Sequence, residues 1–342
     1  MSNSAIIVSA VVSFMVTAIL GKWFIPYLHK IKYGQNIIEE YGPTWHKSKQ
    51  GTPTMGGFMF MIGMTAALAV TLVMHALTKD EAMPFMTHRL TRTLITVVMA
   101  LAYGFLGFLD DYIKVVKKRN MGLTSGQKFV MQLLIGALYL AGLYAADRAY
   151  GMVSTSLYIP FADVSWELGF FYYPIALFLI VGFVNAVNLT DGIDGLASSV
   201  TFVAAIGLIV ISGMVGDEET GVLSSALAGG TMGFLIWNFH PAKVFMGDTG
   251  SMFLGGTVVG ICFLLDNPLL LLLVGVLYLI ETLSVMIQVT YYKLTKKRLF
   301  KMTPIHHHFE MSGYSEVKIV VLFSAVALVG VLLAILSVWL SL

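Results

Sequence analysis

The sequence predicts an all-α integral membrane protein of ten transmembrane helices, with both termini outside and a reactive face built from cytoplasmic loops. The first observation behind this is composition. The 342-residue chain is 57% hydrophobic and 12% charged, whereas soluble globular domains carry about a quarter of their residues as charges. The second is the recurrence of apolar runs, each long enough to cross a hydrocarbon core of about 30 Å at about 1.5 Å per helical residue. The third is the distribution of Lys and Arg between the connections.

The runs cover residues 5–28, 54–76, 92–112, 128–147, 172–188, 195–213, 222–238, 250–265, 268–292 and 317–340. The fifth and eighth are short and abut polar motifs. No linker, repeat or low-complexity tract divides the chain, so residues 1–342 read as one membrane domain. A cleavable signal is not expected, because the first run has no basic stretch before it and ends in Gly21-Lys22-Trp23. The single cysteine, Cys262, lies inside an apolar run, which excludes an intrachain disulfide and a cysteine-based metal site.

Ten spans leave nine connections. Of the 21 Lys and Arg residues, 17 fall in odd connections or at Lys22, and only Lys79, Arg89, Arg92 and Arg148 fall in even ones. The positive-inside rule therefore assigns the odd connections to the cytoplasm. The segment 293–301 (KLTKKRLFK) reads either as a stretch lying on membrane lipids with anionic headgroups or as a basic juxtamembrane anchor.

Five polar motifs all fall in odd connections: KQGTPTMGG (49–57), LDDYIK (109–114), NLTDGIDGLA (188–197), VFMGDTGS (244–251) and PIHHHFE (304–310). Chemistry gathered on one face suits a reaction at that face better than carriage of a solute across. Asp110 and Asp111 close the third span at the negative end of its helix dipole, so a compensating cation is implied. It is either a divalent metal or Lys114 one turn on. Asp191 and Asp194 precede the sixth span, where an N-cap accounts for one carboxylate but not for two with Asn188 and two glycines. A phosphate or a metal–phosphate unit fits there. Asp248, between Gly247 and Gly250, is either a cap or a ligand for a hard cation. Phe245 reads as a nucleobase platform or as an interfacial aromatic.

His306, His307 and His308 cannot all face one ion on a regular element, so contact with phosphate fits them better than zinc. Lys49 and Thr54 sit in a Gly/Thr-rich stretch suited to phosphate, although the Walker A pattern is absent. Glu281, within the ninth span, reads as a buried glutamate satisfied by a partner. His29, His46, His75, His88 and His240 read as scattered loop or interfacial residues.

Taken together, these motifs resemble the polyprenyl-phosphate N-acetylhexosamine-1-phosphate transferase superfamily, and within it the phospho-N-acetylmuramoyl-pentapeptide transferase family. The resemblance runs from about Lys47 to Glu310, and the histidine motif favours the muramoyl-peptide branch. It implies transfer of phospho-MurNAc-pentapeptide from UDP-MurNAc-pentapeptide to undecaprenyl phosphate, giving lipid I and UMP. It also implies a Mg²⁺ cofactor and a multi-pass location in the bacterial inner membrane. A homodimer is compatible with the resemblance, and nothing points to nucleic acid.

By the same resemblance, Asp110, Asp111 and Asp248 are catalytic candidates, with Asp248 and Asp191 as metal ligands. Lys49, Thr54, Asn188, Asp191, Gly192, Ile193, Asp194, Asn238 and Phe245 match substrate-binding positions. Lys114, Lys128, His306, His307 and His308 match further polar positions of the pocket. The rival readings are a sister transferase using a UDP-N-acetylhexosamine and, in another class, a secondary transporter. A transporter would place its carboxylates near mid-membrane, not at span ends.

Overall fold

A computed structural model of the chain describes residues 3–31, 49–78, 87–116 and 122–342. The basic residues Lys32, Lys47, Lys79, Lys117, Lys118 and Arg119 and also His46 lie outside the described residues. The helices are α1 (Asn3–Lys30), α2 (Gly57–Thr78), α3 (His88–Val116), α4 (Ser125–Ala149), α5 (Tyr172–Thr190), α6 (Leu196–Met214), α7 (Glu218–Asn238) and α8 (Gly247–Leu264). The short α9 (Leu271–Val274), then α10 (Val276–Thr295), α11 (Ile305–Glu310) and α12 (Glu316–Trp339) complete the chain. Among the described residues, nine helices are long and apolar enough to cross a membrane, and the bent pair Pro268–Val274 and Val276–Thr295 makes up to ten spans.

Two expectations are corrected. The ninth run, 268–292, is not one straight span, since its two parts meet at 81°. The break falls at Gly275, where a Cβ would press on Leu271 O and on the Phe183 ring. Nor is the chain wholly α. Between α4 and α5 a hairpin pairs β1 (Ser156–Ile159) with β2 (Val164–Glu167), in the register Leu157 to Trp166 and Ile159 to Val164. Leu, Ile, Val and Trp at alternate positions favour strands.

Helix α8 is the axis of the bundle, buried from Thr249 through Leu264. Small residues let its neighbours approach, as is common where apolar helices pack in lipid. A Cβ at Gly255 would meet the Val184 backbone of α5, one at Gly256 the Ala100 Cα of α3, and one at Gly260 the Thr96 side chain of α3. Near the polar end, a Cβ at Gly107 of α3 would strike the Asp248 backbone. The close approach of α3 to α8 therefore sets the distance between their carboxylates.

Contacts sort the connections into two ends. At one end Arg89 pairs with Asp217, and Arg92 pairs with Asp266 at 2.6 Å and Asp147 at 3.4 Å. All these residues border even connections. At the other end the odd connections meet: Phe245 N–H donates to Pro53 O, Ala242 N–H to Asp194, and Asp194 N–H to Glu316. Since Asp266 lies at the first end and Glu316 at the second, the bent pair with its following loop carries the chain from one end to the other.

Buried Cys262 gives a low labelling background, and exposed Ser312 and Asp163 border opposite ends. Asp217 is a poor reporter, being a buried N-cap bonded by Thr220 N–H. With the odd connections in the cytoplasm, Ser312→Cys is labelled by an impermeant thiol reagent only after the membrane is opened. Asp163→Cys is labelled in intact cells. The inverse pattern would overturn the charge argument.

Candidate active site

Two polar clusters form where the odd connections meet. The first is built on α3, α4, α5 and α8. Asp248 Oδ1 accepts from Asn188 Nδ2 at 2.8 Å, while Oδ2 takes Lys114 Nζ at 2.9 Å and Lys128 Nζ at 3.1 Å. Asn188 Nδ2 also donates to Ser251 Oγ at 2.8 Å, and Asn188 Oδ1 lies 3.4 Å from Lys128.

Asp110 and Asp111 are both buried, about one and a half turns inside the end of α3, not at a solvated terminus. Neighbours on a helix point about 100° apart, and the two carboxylates have different partners. Asp110 Oδ2 pairs with Lys114 at 2.5 Å, and Oδ1 accepts Leu123 N–H at 2.8 Å. Asp111 Oδ1 accepts Asp248 N–H at 3.2 Å, and Oδ2 accepts Thr249 N–H at 2.9 Å and Thr249 Oγ1 at 2.7 Å. Asp111 thus satisfies free amides in the first turn of α8, where a negative charge also meets the positive end of the helix dipole. Gly247 makes this possible. Its φ is +70°, and a Cβ would press on Asp111 Oδ2 and Thr54 Oγ1. Thr54 is buried in this contact.

Asp191 caps the C-terminal end of α5 and does not begin α6, whose N-cap is Gly195. Its carboxylate has no hydrogen bond or ion pair among the described residues. Burial, then the charges of Asp248, Asp111 and Asp194, pushes its pKa up to about 8. The group therefore favours a proton or an added cation.

The second cluster contains Asp194, which sequence pairs with Asp191 but the fold separates from it. Lys49 Nζ stands between Asp194 Oδ1 at 2.7 Å and Glu316 Oε2 at 2.6 Å. Asp194 Oδ2 accepts Ala242 N–H at 3.0 Å and lies 3.0 Å from His240 Nδ1. Ligand atoms of Asp194, His240 and Glu316 converge within 4.8 Å of one another. The Lys49 ammonium already occupies one oxygen of each carboxylate and offsets one of the two negative charges there.

The remaining candidates divide. His306 is buried, its Nδ1 3.1 Å from Glu281 Oε1, so the glutamate inside α10 does have a partner. Among the described residues its Nε2 has no partner, and it faces Gly192, where a Cβ would strike the ring. His307 lies 2.6 Å from Glu310, and His308 Nδ1 accepts Lys301 N–H, so these two rings bond within their own loop. Asn238 spends its amide on Val244 O and Ser198 Oγ, holding the 244 strand of the loop. Ile193 is buried, and Phe245 is half-buried with its backbone bonded to residues 53 and 56.

Sequence reasoning passed over Glu316 and His240. An acidic residue in the first turn of a helix resembles ordinary dipole compensation, and a lone histidine after a span carries no pattern.

The glycosyl transferase family 4 profile matches residues 93–266, about half of the chain. A phospho-N-acetylmuramoyl-pentapeptide-transferase of Clostridium perfringens (strain SM101 / Type A) is 46% identical over 96% of this chain and 95% of its own. The chain belongs to the phospho-N-acetylmuramoyl-pentapeptide-transferase family. Relatives of the same name from Geobacillus kaustophilus and Halalkalibacterium halodurans are 46% and 42% identical, covering 99% and 100% of this chain and 100% of their own. The profile match spans both the Asp110–Asp111 pair and Asp248, the carboxylates of the first cluster.

Asp111→Ala leaves the Thr249 amide and hydroxyl without their acceptor, which costs roughly 1–3 kcal/mol per buried unsatisfied group. The expected outcome is a clear fall in the unfolding midpoint in detergent, larger than for Lys114→Ala. Equal midpoints for Asp111→Ala and wild type would remove Asp111 from its structural role.

Proposed function

We propose that the chain transfers phospho-MurNAc-pentapeptide from UDP-MurNAc-pentapeptide to undecaprenyl phosphate, releasing UMP and forming lipid I, in the bacterial inner membrane. The observation that carries this reading is the first cluster. It sets two lysines on Asp248 and leaves Asp191 unpartnered beside it, which suits anionic phosphates arriving with a cation. A site at the end of the bundle can be reached by a nucleotide from water and by a lipid phosphate from the bilayer. The distribution of Lys and Arg supports the cytoplasm as that side.

In the net reaction an oxygen of the lipid phosphate becomes bonded to the β-phosphorus of the nucleotide. The bond from that phosphorus to the bridging oxygen breaks, and UMP leaves with the oxygen. The residues chiefly position and neutralise. Lys114 and Lys128 offset the repulsion of two phosphates, and Asp110 orients Lys114 and faces the acceptor. Asn188 holds Asp248, while Lys49, Thr54, Gly192, Ile193, Asp194, Asn238 and Phe245 form or support the nucleotide side. His306 backs Gly192, and His307 and His308 border the pocket.

The carboxylates of the first cluster offer only oxygen ligands, and Asp191, which has no partner among the described residues, favours a cation, so these residues fit a hard divalent ion. Asp248 and Asp191 would hold Mg²⁺, which when bound neutralises charge on the phosphates.

The deciding assay supplies purified protein with undecaprenyl phosphate and, separately, UDP-MurNAc-pentapeptide or UDP-N-acetylglucosamine, and scores UMP. Release from the muramoyl-peptide substrate alone is expected. Release only from UDP-N-acetylglucosamine would move the chain to the sister transferases.

The elevated Asp191 pKa also predicts a pH dependence. A carboxyl protonated in the fold but ionised in the unfolded chain loses stability as pH rises from about 4, levelling near its folded value of about 8. A cation that takes the ionised form offsets this loss. The upward shift in unfolding midpoint on adding Mg²⁺ is therefore larger at pH 8.5 than at pH 6.5, and the difference vanishes in Asp191→Asn. A pH-independent shift in the wild type would remove Asp191 from the metal.

A further inference from the structure

We infer that Glu316, at the start of α12, is a positioning residue for the nucleotide half of the substrate. One of its oxygens, Oε2, serves two separated parts of the second cluster: it accepts Lys49 Nζ at 2.6 Å and Asp194 N–H at 3.0 Å. The same side chain therefore fixes a charged group from the first connection and the backbone of the 191–195 loop. Its other oxygen lies 3.7 Å from His240 Nδ1. Lys49 is only partly accessible and Asp194 is buried, so the geometry of this pair is set by its neighbours and not by solvent.

Glu316 is free to act as a tether because α12 does not need it as a cap. Ser315 is the N-cap, accepting Lys318 N–H at 3.3 Å. The carboxylate projects instead across to the loop that also bears Gly192, Ile193 and, three residues before Asp194, the partnerless Asp191. Without it Lys49 keeps one carboxylate partner and Asp194 keeps Ala242 and His240, so the cluster loosens but is not dismantled. Glu316 touches no group of the first cluster. Its loss should therefore weaken nucleotide binding and leave the reaction of bound substrates nearly intact.

The inference rests on the transferase reading given above. Steady-state kinetics on the full chain separate the two. Glu316→Ala should raise KM for UDP-MurNAc-pentapeptide at least about tenfold, with kcat within about threefold of wild type and KM for undecaprenyl phosphate unchanged, the signature of lost binding shared by ground and transition states. Glu316→Gln keeps an acceptor for Asp194 N–H but loses the charge facing Lys49, so its KM should lie between those of wild type and Glu316→Ala. It also carries the test if the alanine variant does not fold. A merely structural role would lower the yield of active protein, and so kcat, without moving KM for the nucleotide. That result, or an unchanged KM in both variants, overturns the inference. Wild-type protein that releases no UMP overturns instead the reading on which it rests.

Discussion

Asp248 receives Asn188 from α5, Lys114 from α3 and Lys128 from α4 on its two oxygens, while its own backbone N–H is bound by Asp111 of α3. Four helices thus converge on one residue at the first turn of the most buried helix. Removing either lysine leaves excess negative charge beside Asp110 and Asp111, and removing Asp248 takes the shared acceptor from two partly exposed lysines, leaving Lys114 with Asp110. The close packing of α3 on α8 through Gly107, and the left-handed turn at Gly247, exist in the service of this junction.

The junction also explains why the two ends of the bundle differ. At the end of the even connections, Arg89 pairs with Asp217, and Arg92 pairs with both Asp266 and Asp147, the latter also meeting His88. At the other end the pairing is uneven. Among the described residues Asp191 has no partner, Asp248 has two lysines, and Lys49 has two carboxylates.

Much of this was legible in the sequence. Apolar run length located the spans because hydrocarbon thickness sets a minimum, and the motifs all fell in connections that do meet. Other features were hidden for physical reasons. The 81° break at Gly275 leaves hydropathy unchanged, so run length cannot reveal it. The hairpin is too short for its alternation to stand out among apolar residues. Asp191 and Asp194 are three residues apart in one motif, yet a turn directs them to different clusters. Glu316 is linked to the site through Lys49, 267 residues away, and through the Asp194 backbone.

The central proposal is that a divalent cation is held by the Asp248–Asp191 cluster, and not by the converging atoms of Asp194, His240 and Glu316. Electron paramagnetic resonance of bound Mn²⁺, titrated into purified Asp248→Asn and Asp194→Asn, decides between them. The account predicts that Asp248→Asn loses the bound-ion signal while Asp194→Asn retains it near the wild-type affinity. Loss of the signal in Asp194→Asn with retention in Asp248→Asn would contradict it.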